Sequence, residues 1–281
     1  MIVELLDLKP RNPYLSLAIE EAMSRIFGGN KEFTCAVRVW SNPPSVILGR
    51  TCDPEKNLTS EFLKSFDPSM KKTRWMSRTT LCRRPSGGGT VLHGPGNINY
   101  SIFFNLKAFP ALYDLKNSYR SILSIVQKSL RVQGFECSLE GLSDLVMEFP
   151  DGSRKKISGN AQFRKNGILT HHGTLITREN LIDSVSELLL HPPVEPEYRE
   201  GRSHRSFIGS LPDHFDLTSF YNLLTSELMR FTGIESKRSV DDSERKEIFI
   251  EARKLVKEIY VKKEWILKGK IAYGKMASAE I

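Results

Sequence analysis

Three strand-like runs in close succession, Asp144–Phe149, Lys156–Arg164 and Gly167–Thr177, constrain this chain most strongly. They are separated by only a few residues, with a turn at Pro150-Asp151-Gly152, and so read as a hairpin meander. Further apolar runs at Thr34–Trp40, Ser45–Leu48, Thr90–Leu92 and Ile98–Phe104 read as strands, with turn chemistry at Asn42-Pro43-Pro44 and Gly94-Pro95-Gly96. A helix is expected from Asn12-Pro13, where asparagine caps and proline suits the first turn; Leu15, Ile19, Ala22, Met23 and Ile26 form its apolar stripe and Gly28-Gly29 ends it. A second is expected from Asp114 to Gln133, stopped by Gly134, and a short third over Asn180–Leu190. A polar, basic loop follows from Pro192 to about Gly209, and helical spacing in Phe220–Phe231 and Glu244–Trp265 makes the tail read as largely α-helical. Mixed elements with hairpins and few βαβ alternations predict an α+β fold, with mixed, largely antiparallel sheets and packed helices. One domain over 1–281 is expected, with 215–281 as a helical C-terminal segment.

At 281 residues, 40% hydrophobic and 26% charged, the chain has material for a sizeable core. No stretch approaches the ~20 apolar residues of a membrane span, and acidic residues stand near the N-terminus where a signal peptide has basic ones, so a cytoplasmic protein is expected. Cys35, Cys52, Cys82 and Cys137 are scattered, which indicates neither a disulfide framework nor a zinc site. The net charge of +8 suits an anionic ligand or an acidic partner. Its basic clusters, Lys71-Lys72-Thr73-Arg74, Arg154-Lys155-Lys156 and Arg199–Arg205, accompany no nucleic-acid recognition pattern.

Arg83-Arg84-Pro85-Ser86-Gly87-Gly88-Gly89 combines guanidinium, hydroxyl and uncovered backbone donors, an arrangement suited to carboxylate or phosphate oxygens. A plain turn with two surface arginines is the alternative, and the Rossmann and P-loop spacings are both absent. His93 stands just past that loop, and Asn97 and Asn99 either hold the neighbouring turn or point an amide into a site. Lys156 is followed by Ser158-Gly159-Asn160, whose small residues leave room for an amine that stabilises developing negative charge. His171 and His172 alternate in a strand, so at most one faces a pocket and the other is expected at the surface. No cysteine stands in the Pro192–Gly209 loop or next to His171, which leaves a cysteine nucleophile open but unsupported: Cys82 reads as packing and Cys137 as part of an ordinary strand.

At these words the sequence resembles the lipoate–protein ligase A family of the biotin/lipoate protein ligase superfamily, which includes octanoyl and lipoyl transferases. The resemblance runs through Leu17-Ala18-Ile19-Glu20-Glu21, Val46-Ile47-Leu48-Gly49-Arg50, the Arg-Arg-x-Ser-Gly-Gly-Gly-x-Val-x-His word, Ser143-Asp144-Leu145, Lys156-Ile157-Ser158-Gly159, His171-His172-Gly173-Thr174-Leu175 and Tyr260–Trp265. It implies a catalytic domain with a bent tunnel for a medium-chain acyl group, with Lys156 as the catalytic residue. Substrate or adenylate contacts are implied for Arg50, Arg83, Arg84, Ser86, Gly87, Gly88, Gly89, His93, Asn97, Ser158, Gly159, His172 and Gly173. The implied substrates are lipoate, ATP and magnesium, and the implied acceptors are a lysine of the lipoyl domains of 2-oxoacid dehydrogenase complexes or of glycine-cleavage H protein. Arg199, Arg202 and Arg205 fall where the family covers its adenylate.

His93-Gly94 stands where the family usually has His-Asp, which leaves the magnesium ligands unassigned, and Cys52 stands where the family usually has glutamine. The small C-terminal domain of the longer ligases is not expected within the chain, so a separate accessory subunit is an option. The alternatives to ligation are transfer from an acyl-protein donor and non-catalytic lipoyl binding.

Overall fold

The computed structural model describes residues 1–65 and 79–270. The Lys71–Arg74 cluster and the last part of the expected helical tail, 271–281, lie outside the described residues.

The meander forms as expected, with β8 (Asp144–Glu148), β9 (Arg154–Lys165) and β10 (Ile168–Ile176) all antiparallel, preceded by the edge strand β7 (Cys137–Glu140). It continues through β6 (Asn97–Asn105) and β2 (Cys35–Trp40) to β1 (Ile2–Asp7) and β11 (Lys237–Ser239), giving the order β11-β1-β2-β6-β10-β9-β8-β7. The two pairings at the β11 end are parallel and the other five antiparallel. A second sheet has β3 (Ser45–Leu48) between β4 (Thr80–Arg83) and β5 (Val91–His93). The α+β expectation therefore holds. The tail is less uniformly helical than its spacing predicts, because three of its residues form β11 and extend the sheet beside β1.

Alternation along the strands sends side chains to two covered faces. On one, Val37, Val39, Tyr100 and Ile102 pack with α4 (Leu115–Arg131) and α7 (Leu217–Thr232). On the other, Ala36, Trp40 and Phe103 pack with α1 (Pro13–Gly29) and α8 (Asp242–Leu255). Helix α1 starts where its capping residues dictate: the Asn12 side chain accepts from the Tyr14 amide and Pro13 opens the first turn. Its buried Leu17, Ile19 and Met23 contribute about 1.5–3 kcal/mol each by leaving water. The small sheet packs its own cluster, including Val46, Leu48 and Leu92, on α5 (Asn180–Leu188). The short helices α2 (Pro54–Asn57), α3 (Ser60–Lys64) and α6 (His204–Phe207) lie in the connecting segments.

Arg83 joins the C-terminal helix α9 (Lys263–Lys268) to this frame. Its buried guanidinium donates to the carbonyls of Gly49, Arg50, Cys52, Ile266 and Leu267, while the Trp265 indole donates to the Arg83 carbonyl. These donors are committed to backbone, which corrects the expectation that Arg83 faces a ligand. Arg83→Met leaves these carbonyls without their charged partner and is expected to cost about 3 kcal/mol. That corresponds to a fall of roughly 6–12 °C in Tm for a chain of this size. An unchanged melting temperature in a calorimetric scan contradicts the stapling role.

Candidate active site

One register row crosses five strands of the large sheet: Trp40 on β2, Asn99 on β6, Thr174 on β10, Gly159 on β9 and Asp144 on β8. Residues directly opposite one another share a face, so this row forms a continuous floor under α1 and the glycine loop. Over it lies a cavity of about 140 Å³, with Gly88, Gly89, Thr90 and Val91 also among its walls. A second chamber of about 260 Å³ adjoins it, and both are lined by Gly89, Thr90, Asp144, Lys156, Gly159 and Thr174. Leu17, Glu20, Trp40, Ile47, His93 and His172 line the first cavity alone.

Lys156 reaches this junction through an irregularity. In an unbroken strand residues 156 and 159 face opposite sides. A shift in the β8–β9 register between Leu145 and Val146 puts Ile157 into the core and Lys156 on the tunnel side. The lysine Nζ lies 2.9 Å from Asp144 Oδ1. It also rests against Gly159, where an added Cβ would come within 2.9 Å of it. The other Asp144 oxygen accepts a 2.7 Å hydrogen bond from Tyr198, on the 192–209 loop.

The glycine loop is built around Arg84. Its buried guanidinium donates to Ser86 Oγ, to the Ile47 carbonyl and to the Gly87 and Gly89 carbonyls. Gly88 has φ +84 and closes the loop so tightly that an added Cβ would lie 3.1 Å from Arg84 Nη2. Each trans peptide points its N–H opposite to its carbonyl, so the Gly88 and Thr90 amides face away from Arg84.

Beneath the loop, Ser86 Oγ lies 2.7 Å from His172 Nε2, and His172 Nδ1 lies 3.2 Å from both Glu20 oxygens. An ionised carboxylate only accepts, so Nδ1 carries the proton, and in the neutral ring Nε2 accepts from the Ser86 hydroxyl. Burial opposes ionisation of Glu20, yet His172, Ser101 and the charge of Arg38 outweigh it and hold the carboxyl below its usual range. Burial, aided by the charge of Arg84, pushes His93 down to about 3.

Arg84, Gly88, Gly89, His93, Lys156, Gly159, His172 and Gly173 line the first cavity, and Asn97 lines the second. Ser86 supports His172 from behind. Arg50 instead stacks over Trp265 at 4.8 Å, Gly87 turns its carbonyl to Arg84, and Ser158 accepts from Asn160, so none of these three is among the lining residues. His171 is buried rather than exposed, because α4 covers the opposite sheet face: it packs beside Tyr100 and Tyr119, and burial and the neighbouring His172 push it down to about 3. Among the basic-loop arginines, Arg202 donates to the Arg154, Tyr198 and Arg199 carbonyls and Arg205 pairs with Asp183 at the surface. Arg199 lines the second chamber and stacks on Phe207. Glu20, Trp40, Asp144, Thr174 and Tyr198 were not among the expected site residues; strand register, helix packing and the 192–209 loop bring them in, while Asn99, left by the sequence between a turn role and an amide in a site, lines the first cavity.

Cys35 and Cys82 are buried, with thiols pushed well above the usual range by burial. Cys52 bonds the Gly88 carbonyl from outside the cavity, and among the described residues no cysteine lines either cavity. Nor, among the described residues, does any group of three or more His, Cys, Asp or Glu side chains form a metal site, and no helix is long and apolar enough to cross a membrane.

The mixed sheet that carries these cavities has the fold of the lipoate–protein ligase type. The family model of the lipoyl protein ligase A/B catalytic domain matches residues 12–230, and the chain belongs to this family. It is 30% identical over 184 residues to a putative lipoate-protein ligase A of Schizosaccharomyces pombe, covering 66% of this chain and 43% of that protein. It is 27% identical over 219 residues to the lipoate-protein ligase LplJ of Bacillus subtilis, covering 78% and 59%. The chain thus spans about half the length of these curated relatives. A solved bi-partite lipoate protein ligase of Thermoplasma acidophilum, described with its E2 lipoyl domain, superposes with a TM-score of 0.72 at 25% identity, covering 95% of this chain and 96% of that one.

His93 and His171 impose a pH dependence on stability. In the unfolded chain a histidine titrates near 6.5, whereas both are near 3 here. Between these values the unfolded state binds protons that the folded state does not, so stability falls as pH drops below 6.5, by up to about 1.4 kcal/mol per pH unit for each group. Urea midpoints at pH 7, 6 and 5 are expected to decline, less steeply for His171→Gln. A midpoint that does not move with pH contradicts this assignment.

Proposed function

We propose that the protein activates lipoate, or a related medium-chain acid, as its acyl adenylate and delivers it to a lysine of a partner protein. The observation that carries this reading is the meeting of two cavities at Lys156 and Asp144. The narrower cavity takes the acyl chain and brings its carboxylate to the junction, while the nucleotide enters through the second chamber. A carboxylate oxygen attacks the α-phosphorus of ATP, forming a C–O–P bond and releasing pyrophosphate. The neutral acceptor amine then attacks the activated carbonyl, AMP leaves, and an amide forms with loss of a proton.

Lys156 supplies positive charge where both steps build negative charge on oxygen, and Gly159 gives its ammonium room to shift from Asp144 toward the reacting group. Asp144 holds the lysine in place beforehand. Magnesium commonly binds through one or two carboxylates and substrate phosphates, and Asp144 at the junction fits that donor set. The ion would neutralise phosphate charge there.

Transfer through an acyl-cysteine is disfavoured because no cysteine lines either cavity among the described residues. The proposed acceptors are lipoyl domains and glycine-cleavage H protein, and a separate accessory subunit is in keeping with the bi-partite Thermoplasma ligase. Incubation with lipoate, ATP, magnesium and an apo lipoyl domain should add one lipoyl mass to that domain, with pyrophosphate exchange reporting the first step. Lys156→Met is expected to slow the exchange by about a hundredfold or more. Neither exchange nor acylated domain, with or without an accessory subunit, is the result that rejects ligation.

A further inference from the structure

The tunnel floor carries a fully buried polar atom with no hydrogen-bond partner among the described residues. Asn99 is 1% exposed and lines the first cavity, and its Nδ2 has no hydrogen-bond partner among the described residues. Its orientation follows from a chain of bonds that begins at the backbone. The Gly94 amide can only donate, so the Asn97 atom 2.7 Å from it is the oxygen, Oδ1. Asn97 Nδ2 must therefore donate, at 2.9 Å, to Asn99 Oδ1. The Asn99 NH₂ group is thereby left over on the tunnel side of β6, because Asn99 belongs to the same register row as Thr174 and Gly159. Several polar groups around it are paired within the wall: Trp40 donates to Ser101, Glu20 accepts from Ser101 and meets His172, and His93 meets Asn42 through Nδ1.

We propose that Asn99 Nδ2 is a specificity donor that selects acyl chains with an acceptor atom, such as the ring sulfur of a dithiolane, over plain hydrocarbon chains. This rests on the acyl-activation reading above. Asn99 lies two strands from Gly159, over which the Lys156 amine rests, which is about 10 Å at the usual strand spacing. An extended chain advances about 1.25 Å per C–C bond, given bonds near 1.5 Å. The sulfur on the sixth carbon of lipoate then falls roughly 8 Å from its carboxyl carbon, in reach of the Asn99 amide when the carboxylate meets Lys156. A disulfide sulfur is a weak acceptor, so the preference is moderate. A saturated chain leaves the buried donor unmet, and sites with a committed donor discriminate against such analogues.

The test compares lipoate with 5-cyclopentylpentanoate, which keeps the ring and chain but has carbon in place of sulfur, and with octanoate. Pyrophosphate exchange and direct calorimetric binding are measured on the full chain. The wild type should favour lipoate over the cyclopentyl acid by about tenfold in kcat/KM. Asn99→Leu should collapse that ratio toward one, chiefly by lowering the kcat/KM for lipoate. Asn99→Asp, which keeps an acceptor for Asn97, should collapse it as well, and supplies the answer if the leucine variant does not fold. A wild-type ratio near one, or a ratio unchanged in both variants, overturns the role of Asn99 while leaving acyl activation standing. Absence of exchange and binding with all three acids in the wild type overturns both readings.

Discussion

The guanidinium of Arg84 is buried and, among the described residues, has no carboxylate in hydrogen-bonding contact, so its charge must be met by dipoles. The loop from Ser86 to Gly89 is the structure that meets it. Two glycine carbonyls turn inward and the Ser86 hydroxyl accepts, so the loop has a polar core of its own. That inward turn is what leaves the Gly88 and Thr90 amides facing the other way. A residue with a side chain at position 88 would strain both the left-handed backbone and the approach to Arg84. The same serine carries the constraint onward, because its remaining contact is His172, and His172 is held by Glu20 on α1. The loop, the central strand β10 and the first helix are thereby coupled through one continuous chain of hydrogen bonds.

The second constraint is geometric. Antiparallel register aligns Trp40, Asn99, Thr174, Gly159 and Asp144, each neighbour about 4.8 Å from the next, so the row spans roughly 19 Å, longer than an extended eight-carbon chain. On the proposed reading, an acyl group lying along this row would run perpendicular to the strands, with one end under α1 and the other at Lys156. The register irregularity beside Ile157 decides which end of the row carries the lysine amine. Without it the Lys156 side chain would project to the α4 side of the sheet and the junction of the cavities would carry a carboxylate without its amine.

Local signals in the sequence were sufficient for the elements that local chemistry dictates. Asn12-Pro13 set the start of α1 and Pro150-Asp151-Gly152 set the β8–β9 turn, and both formed where their capping and turn propensities require. Residues of the glycine, Lys156 and His172 words line one cavity. What was not legible depended on parity and on distant partners. Arg83 and Arg84 are identical neighbours, and only the end of β4 decides that the first reaches α9 while the second enters the loop. His171 was expected at the surface because alternation fixes opposite faces but says nothing about whether a helix covers the second one. The brevity of β11 hid it within helical spacing, since three residues cannot establish a period.

If the first cavity takes a largely apolar chain, as proposed, its walls pose a problem, because Glu20, His93, His172 and Trp40 each carry polar atoms whose water must be removed. The solution is pairing within the wall. Ser101 serves two of these groups at once, accepting from the Trp40 indole and donating to Glu20, and Asn42 occupies one nitrogen of His93. Once satisfied, such groups present ring faces and carbon edges to a ligand, and an apolar chain can lie against them at little cost in lost hydration. The polarity of the lining residues therefore gives a poor measure of the polarity the ligand meets. The informative quantity is the donor or acceptor left over after the wall's own bonds are counted, and among the fully buried atoms of the floor row that remainder is Asn99 Nδ2.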